Sequence, residues 1–418
     1  TAELPSRVCE RAQRLWIICQ FYYPETTSTG HSVTRIAEGL SATFDSHIIC
    51  AYPGNGLNHA AVPRLEVRNG VCIHRCGATS IDHQRILRKL ANQMYVSIRM
   101  AILTFFSVRR NDCVFMISSR PFIPFLVGLA CALRGARRIH LIHDFYPDAL
   151  VAVGIFTNKS LIYRCWSASN RCFLRLSHKI VVLGRDMQVL IADRLRMPRE
   201  DIAVITNTAD IEHIKGAGRS GNKLLEDLKL QDKFVIKYSG HMGRTHDVEV
   251  VLAAARPLAR RSNFHFLFIG AGHKKELLAK AVANEKLSNV TVKDFLPKSE
   301  VETSMTAGDV SLISFVPGMA GVSVPGRMYD LLAAGQPIIA VTEPDSEVAQ
   351  VVKEEQIGWV GPPQDSQKLV EAILESSADI SPLREMGQRA RLAAETKYTL
   401  QSAVQKYQEI ILRVLSIE

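Results

Sequence analysis

Short apolar, β-branched runs alternate with stretches of helical period along the chain. In the first half, the runs predict strands at residues 15–20, 47–50, 71–74, 113–117, 138–143, 179–183 and 202–205. Helical spacing of apolar positions falls between them, as at 30–42 and 85–108. After a Gly-, Lys-, Arg- and Ser-rich stretch at 215–222 the alternation restarts. Strands are predicted at 234–238, 264–269, 290–293, 310–313 and 337–340, and helices at 247–260, 274–284 and 346–354. Residues 381–415 read as helical throughout. Apolar strands that alternate with helices predict parallel, doubly wound α/β sheets. Two Rossmann-like domains facing a cleft are the most economical arrangement, with ligands at the C-terminal ends of the strands. The expected division is a first domain at 1–212, a linker at 213–232, a second domain at 233–395, and a C-terminal helix at 396–418 returning toward the first domain.

The length of 418 residues suits two domains. Composition narrows the class without naming a chemistry: 47% hydrophobic and 22% charged residues suit a soluble globular enzyme. Nine scattered cysteines, all at or before Cys172, show no CxxC pair and no Cys/His spacing of a zinc motif. They predict free thiols in a reducing cytoplasm, with Cys72 and Cys76 read as strand and turn residues. Arg7, Arg11 and Arg14 precede only a short apolar run, so neither a signal peptide nor a membrane span is expected. A net charge of +10 favours anionic partners. The basic residues crowd the first half, around 85–89, Arg99, Arg109, Arg110, 134–138 and 164–175.

Candidate chemistry lies at predicted strand ends. The stretch from Pro317 through Gly318, Gly321, Pro325 and Gly326 runs into a short helix carrying Asp330, which Gly335 stops. A Gly-rich loop feeding a helix suits a diphosphate, and a carboxylate one turn in suits ribose hydroxyls. An ordinary βα turn with a solvated Asp is the bland alternative. The sequence FYYPETTSTG, ending at Gly30, follows the first strand and is an anion-tolerant turn, not the GxGxxG of a nicotinamide site. LIHDFYPD places His143, Asp144 and Asp148 at another strand end, where His143 is a functional or a structural histidine and Asp144 a reactive group or a helix cap. YSGHMGRTHD supplies Gly240, His241, Gly243, Arg244 and His246, a cation beside backbone amides. GAGHK supplies Gly270, Gly272 and Lys274.

This set resembles the retaining GT4 glycosyltransferases of GT-B fold, most strongly from Tyr238 to Ala340. The resemblance implies that the GAG turn and the later turn at Phe295 and Leu296 line a nucleotide base. It implies that the 240–246 segment carries cations for the diphosphate, that Asp330 stands for the second acid of the family's E-x7-E motif and holds the ribose, and that His143 lies near donor sugar and acceptor. Two departures matter. Val322 occupies the place of the first acid, and the usual Arg and Lys align with His241 and His246 while Arg244 lies between them. Arg244 is then the expected phosphate cation, His246 the second choice, and Arg327 stands where one branch has a Lys. Amides of residues 318–322 would do more of the sugar and phosphate binding. The blocks HDFYPD, SGHMGRTHD and VPGRMYDLLAAG are similar to a branch in bacterial capsule and exopolysaccharide assembly.

The resemblance implies transfer from a UDP-sugar, or else a GDP-sugar, to a saccharide or polyprenyl-linked saccharide. It implies no resident metal or cofactor and no protein nucleophile. The helix at 86–108 has two readings. Leu87, Leu90, Met94, Ile98, Ile102 and Phe105 pack on the sheet, or the helix lies on an anionic membrane with Arg85, Arg88, Lys89 and Arg99. The protein is accordingly expected in the cytoplasm or peripheral on the inner face of the plasma membrane. A sugar-nucleotide 2-epimerase of similar fold and a basic nucleic-acid-binding protein are the alternatives. The latter lacks an RNP motif, a helix-turn-helix signature and a basic tail.

Overall fold

The computed structural model describes residues 13–416 except 26, 54–61, 78–85, 119–121 and 217. The first domain is built on β1 (Arg14–Ile18), β2 (Asp45–Ala51), β3 (Leu65–Arg68), β4 (Val71–Cys76), β5 (Cys113–Ile117), β6 (Arg137–Ile142), β7 (Lys179–Val182) and β8 (Ile202–Val204). Their order is β3-β4-β2-β1-β5-β6-β7-β8, parallel except for the antiparallel edge pair β3–β4. The second sheet comprises β9 (Phe234–Ser239), β10 (Phe264–Ile269), β11 (Val290–Lys293), β12 (Val310–Ser314), β13 (Ile338–Val341) and β14 (Gly358–Gly361). Its order is β11-β10-β9-β12-β13-β14, all parallel. Both sheets reverse strand order beside their first strand, which leaves a crevice at the C-terminal strand ends.

Strands buried on both faces account for the legible apolar runs: every residue of β5, β9, β10, β12 and β13 is buried. Two strands were not anticipated. In β3, half-exposed residues give no apolar run, and its pairing with β4 makes it a strand. In β14, the sequence GWVG is flanked by glycines and reads as a turn, and β13 templates it.

The stretch expected to be a linker is built into the second domain. Asn222 caps the helix Lys223–Asp227, and Arg219 pairs with Asp309 at 2.7 Å and donates to the Leu230, Gln231 and Lys233 carbonyls. The C-terminal segment is two helices, Ser381–Thr396 and Leu400–Leu415, the second capped by Thr399. That last helix lies on the first domain. Tyr407 meets Phe115 edge to face at 5.3 Å, and Arg137 donates to the Val414 carbonyl at 2.6 Å. Gly39 permits this approach, because a Cβ there would stand 2.6 Å from Val404.

The helix Ile86–Ser107 corrects one reading. Val96 and Met100 face the core, whereas Met94, Ile98 and Ile102 are exposed and Phe105 is half-buried. The side chains of Leu87 and Leu90 lie outside the described residues. No helix among the described residues is long and apolar enough to cross a membrane.

Candidate active site

The two domains meet through paired backbone and buried charge. The Phe145 amide donates to the Val322 carbonyl at 2.9 Å, and Asp144 and Ser323 form an antiparallel bridge. Asp186, at the start of the helix Arg185–Leu195, accepts from the amides of Gly321 and Glu347, each at 2.9 Å. Arg185 grips the buried Glu347 carboxylate with its backbone amide at 2.8 Å and its Nε at 3.0 Å. The segment 318–330 of the second domain is thereby pinned onto the strand ends of the first.

On the second-domain bank, the loops after β9 and β10 stack backbone on backbone. The Met242 amide donates to the Ala271 carbonyl at 2.8 Å, and Lys274 donates back from its amide at 3.0 Å. Gly270 and Gly272 take φ of 155° and 140°, and Cβ atoms there would fall 1.9 Å from the Gly240 oxygen and 2.5 Å from the Met242 oxygen. Only glycine permits this packing. It brings Gly240 against Arg327, whose guanidinium carbon lies 4.5 Å from the Tyr238 ring centroid. Nε and both terminal nitrogens of Arg327 are buried and have no hydrogen-bond partner among the described residues. The Tyr238 hydroxyl gives its own proton to the His241 carbonyl at 3.1 Å. A desolvated cation without an acceptor is costly, and the arrangement calls for an anion.

Two histidines accompany it. Burial, followed by the charges of Arg327, His241 and Lys274, pushes His246 well below its ordinary pKa. Its ring stacks on Phe315 at 5.3 Å. Desolvation and then Arg327 lower His241 as well. Both rings are therefore neutral near pH 7 and add donors or acceptors to the site without charge.

The structure redistributes several expected roles. Arg244 is exposed and makes no ion pair or hydrogen bond among the described residues. Lys274 is committed to the His246 carbonyl at 2.8 Å and to Glu249 at 2.7 Å. The amides of Gly318, Gly321 and Val322, expected to face phosphate, are spent on Glu343, Asp186 and the Met319 carbonyl respectively. Gly318 and Gly321 serve instead as turn residues at φ 86° and 74°. Gly30 donates to its own helix cap Thr27 at 3.2 Å. Gly243 packs under the His241 ring. Phe295 is exposed at the rim, with Leu296 half-buried beside it.

Asp330 lies within reach of first-domain charges. Burial and then Asp210 raise its carboxyl to about 7, against the lowering effect of His31 and Arg35. Asp210 shows the opposite balance. Burial would raise it, but hydrogen bonds from His31 at 3.2 Å and His213 at 3.0 Å, with the Arg35 charge, hold it well below the carboxylate range. These first-domain partners were not singled out, because His31 and Asp210 are 179 positions apart and neither sits in a local motif. Glu343 also escaped notice: one carboxylate oxygen holds the Gly318 amide and the other is buried without a partner. It brings to this loop a carboxylate that residues 314–328 lack.

On the first-domain bank, His143 is buried, and desolvation lowers its pKa against the opposing pull of Asp144. Asp148 is structural, holding Arg194 at 2.9 Å and the Tyr163 hydroxyl at 3.2 Å. A small cavity opens beside Asp144, lined by Ser118, Phe145, Tyr146, Trp166 and Asn170 among others. Tyr146 and Trp166 stack in parallel at 6.2 Å.

A model of the family described as "Glycosyl transferases group 1" matches residues 233–379. The probable glycosyltransferase WbjE of Pseudomonas aeruginosa is 26% identical over 336 residues, covering 80% of this chain and 83% of that protein. A putative colanic acid biosynthesis glycosyl transferase of Escherichia coli K12, WcaI, is 23% identical over 347 residues, covering 79% and 83%. Among solved structures, Anabaena HepE in complex with UDP superposes with a TM-score of 0.71 at 13% identity, over 96% of this chain and 100% of that one. The architecture is the expected GT-B fold, two parallel-sheet domains on either side of a cleft.

Proposed function

We propose that this chain, a group 1 glycosyltransferase by its second domain and its two-domain fold, moves a hexosyl group from UDP-hexose to a saccharide acceptor in polysaccharide assembly. The observation that carries the reading is Arg327: its guanidinium nitrogens are buried with no acceptor among the described residues, beside Gly240, His241 and His246 at the strand ends of the group 1 domain. In this reading Arg327 takes the β-phosphate, and Arg244 reaches it from the rim as a second cation. The UDP complex of a protein with the same fold supports the choice of nucleotide. Asp330 receives the ribose hydroxyls, Phe295 covers the base, and Glu343 takes a sugar hydroxyl in place of the absent acid at Val322.

The transfer retains configuration. The acceptor hydroxyl forms its bond to the anomeric carbon on the face from which UDP departs, the carbon–oxygen bond to the β-phosphate breaks, and the hydroxyl proton passes to the departing phosphate oxygen. Arg327 and the neutral histidines stabilise the negative charge that grows on the leaving group. His143 orients the sugar and needs no charge to do so. The transfer proceeds without a resident metal, because side-chain cations meet the diphosphate. The acceptor sugar lies on the Tyr146 and Trp166 pair beside Asp144.

The exposed stripe Met94, Tyr95, Ile98, Ile102 and Phe106, with Leu129 and Leu133 of the neighbouring helix and Arg99 and Arg110 at its edge, supports a peripheral position on an anionic membrane. There a polyprenyl-linked acceptor would be presented. Co-sedimentation with vesicles, lost in Ile102→Glu and Phe106→Glu, tests this part; pelleting indifferent to anionic lipid refutes it.

The function itself is tested by metal-free thermal denaturation with UDP, GDP and ADP. A ligand that binds only the folded state raises stability by RT ln(1 + [L]/Kd). A shift with UDP that vanishes in Arg327→Ala supports the assignment. A shift with GDP alone transfers the donor class, and no shift with any nucleotide removes the site.

A further inference from the structure

Away from the cleft, the first sheet carries a cross-strand cluster that glycosyl transfer does not use. His47 of β2 pairs in register with Trp16 of β1 on one side and Cys72 of β4 on the other. His74, two residues beyond Cys72, projects on the same face. The cluster occupies N-terminal to middle positions of these strands, short of the C-terminal ends that face the crevice. Sequence spacing hid it, because Cys72 and His74 lie two apart on β4 while His47 joins them from β2, a neighbour across the sheet rather than along the chain.

The geometry is that of a ligand set. The Nδ1 of His47 and the Nε2 of His74 face one another at 3.3 Å, and one ring nitrogen of each histidine and the Cys72 Sγ all lie within 4.8 Å of one another. Nitrogens bound tetrahedrally to one zinc ion at its usual bond length stand about 3.3 Å apart. The other nitrogen of His47, Nε2, donates to Asp45 at 3.2 Å, which turns the Nδ1 lone pair toward His74. A carboxylate behind a ligating histidine is the usual outer support of a metal ion. Trp16 stacks on His47 at 4.4 Å and is itself held by Asp112 at 3.0 Å, so the imidazole is locked in place. Charge agrees as well. Among the described residues Asp45 and Asp112 pair with one guanidinium, that of Arg14, and an ionised Cys72 thiolate would leave two negative charges for a divalent ion to neutralise.

We infer that His47, Cys72 and His74 form a binding site for a thiophilic divalent cation of the zinc class, with a fourth position open to solvent. Burial, then His47 and Arg14, lower His74 to about 4, so it is a neutral ligand at physiological pH. Burial and Asp45 raise the Cys72 thiol, so binding releases its proton. The site stabilises the β1–β2–β4 half of the sheet and lies outside the transfer chemistry. It stands whether or not the donor assignment does.

The test is titration of the chelator-stripped full chain with Co(II), followed by displacement with zinc. One equivalent should produce a thiolate-to-cobalt charge-transfer band that zinc abolishes. Cys72→Ser should lose that band while retaining UDP binding and its circular dichroism. A Cys165→Ser/Cys172→Ser variant, lacking the thiols that are exposed among the described residues, should keep it. Asp45→Asn should weaken binding about tenfold to a hundredfold. A wild type without the band, or a band that survives in Cys72→Ser, overturns the site and leaves a His–His hydrogen bond. Should Cys72→Ser not fold, mass-mapped alkylation of the wild type decides: zinc must protect Cys72 from alkylation, and equal labelling with and without zinc refutes the proposal.

Discussion

The second-domain bank of the cleft presents backbone, glycine and one buried cation, whereas the first-domain bank presents side chains. After β9 and β10, carbonyls and amides of facing loops bond directly, and a Cβ at Gly270 would lie 1.9 Å from the opposite oxygen. After β6, the imidazole of His143, the Asp144 bridge and the Tyr146–Trp166 stack shape the surface. The contrast follows from what each bank is proposed to hold. A diphosphate is recognised through charge and close backbone approach, so bulk must be removed. A sugar offers many hydroxyls and an apolar face, so directed polar and aromatic side chains must be supplied.

The strongest way to break this comparison is to remove the cation. Arg327→Ala should lower kcat/KM about a hundredfold to a thousandfold. Its melting temperature should be unchanged or higher, since a buried unpaired charge is lost. Arg244→Ala should cost less than about tenfold, because an exposed side chain gives little at high dielectric. Equal losses in the two variants would return the main role to Arg244.

On the opposite bank, His143→Ala should reduce kcat by about a hundredfold with the KM for UDP-hexose nearly constant. A rise in donor KM with kcat preserved would move His143 to ground-state binding. Gly270→Ala should disrupt the stacked loops, costing about 3 kcal/mol of stability and abolishing the UDP-dependent shift. Retention of that shift would show that the loops can move apart without loss.

Protonation sharpens the comparison where the banks meet. With Asp330 at about 7, only its ionised form accepts two ribose hydroxyls, so UDP affinity should fall about tenfold from pH 8 to pH 6 beyond the effect of phosphate protonation. Asp330→Asn should lose that extra dependence. The same group makes folding less favourable as pH rises from the ordinary carboxylate range toward 7: the unfolded state releases the proton first, while the folded state keeps it until about 7. The smallest effect is expected from Trp166→Ala, a several-fold rise in acceptor KM with donor KM unchanged, as befits loss of about 1 kcal/mol of stacking.

Much of the architecture was legible because buried parallel strands are continuous apolar runs and helices between them keep their period. The failures share one cause. Nothing local marks β3 or β14, whose pairing comes from a neighbour already in place. The helix Ile86–Ser107 is apolar on more than one face, so periodicity alone chose the wrong one. In the candidate site, the glycine loops, His143 and Asp330 were visible as strand-end motifs. Arg244 and Arg327 were both visible as cations, but which of them is buried could not be read from their order in the chain.

The sequence by itself determined the α/β class, the two-domain alternation and the Gly-rich strand ends, because these depend on period and on residues with special backbone freedom. Only the tertiary structure decided that the guanidinium nitrogens of Arg327 are buried without a hydrogen-bond partner among the described residues, and that the amides of Gly318, Gly321 and Val322 are already spent. It also decided that the charge of Asp210 reaches Asp330 and that His47, Cys72 and His74 share one face of a sheet. Those are facts of burial and of contact between distant segments, and the free energy of a charge or a polar group depends on what surrounds it in space rather than on its neighbours in the chain.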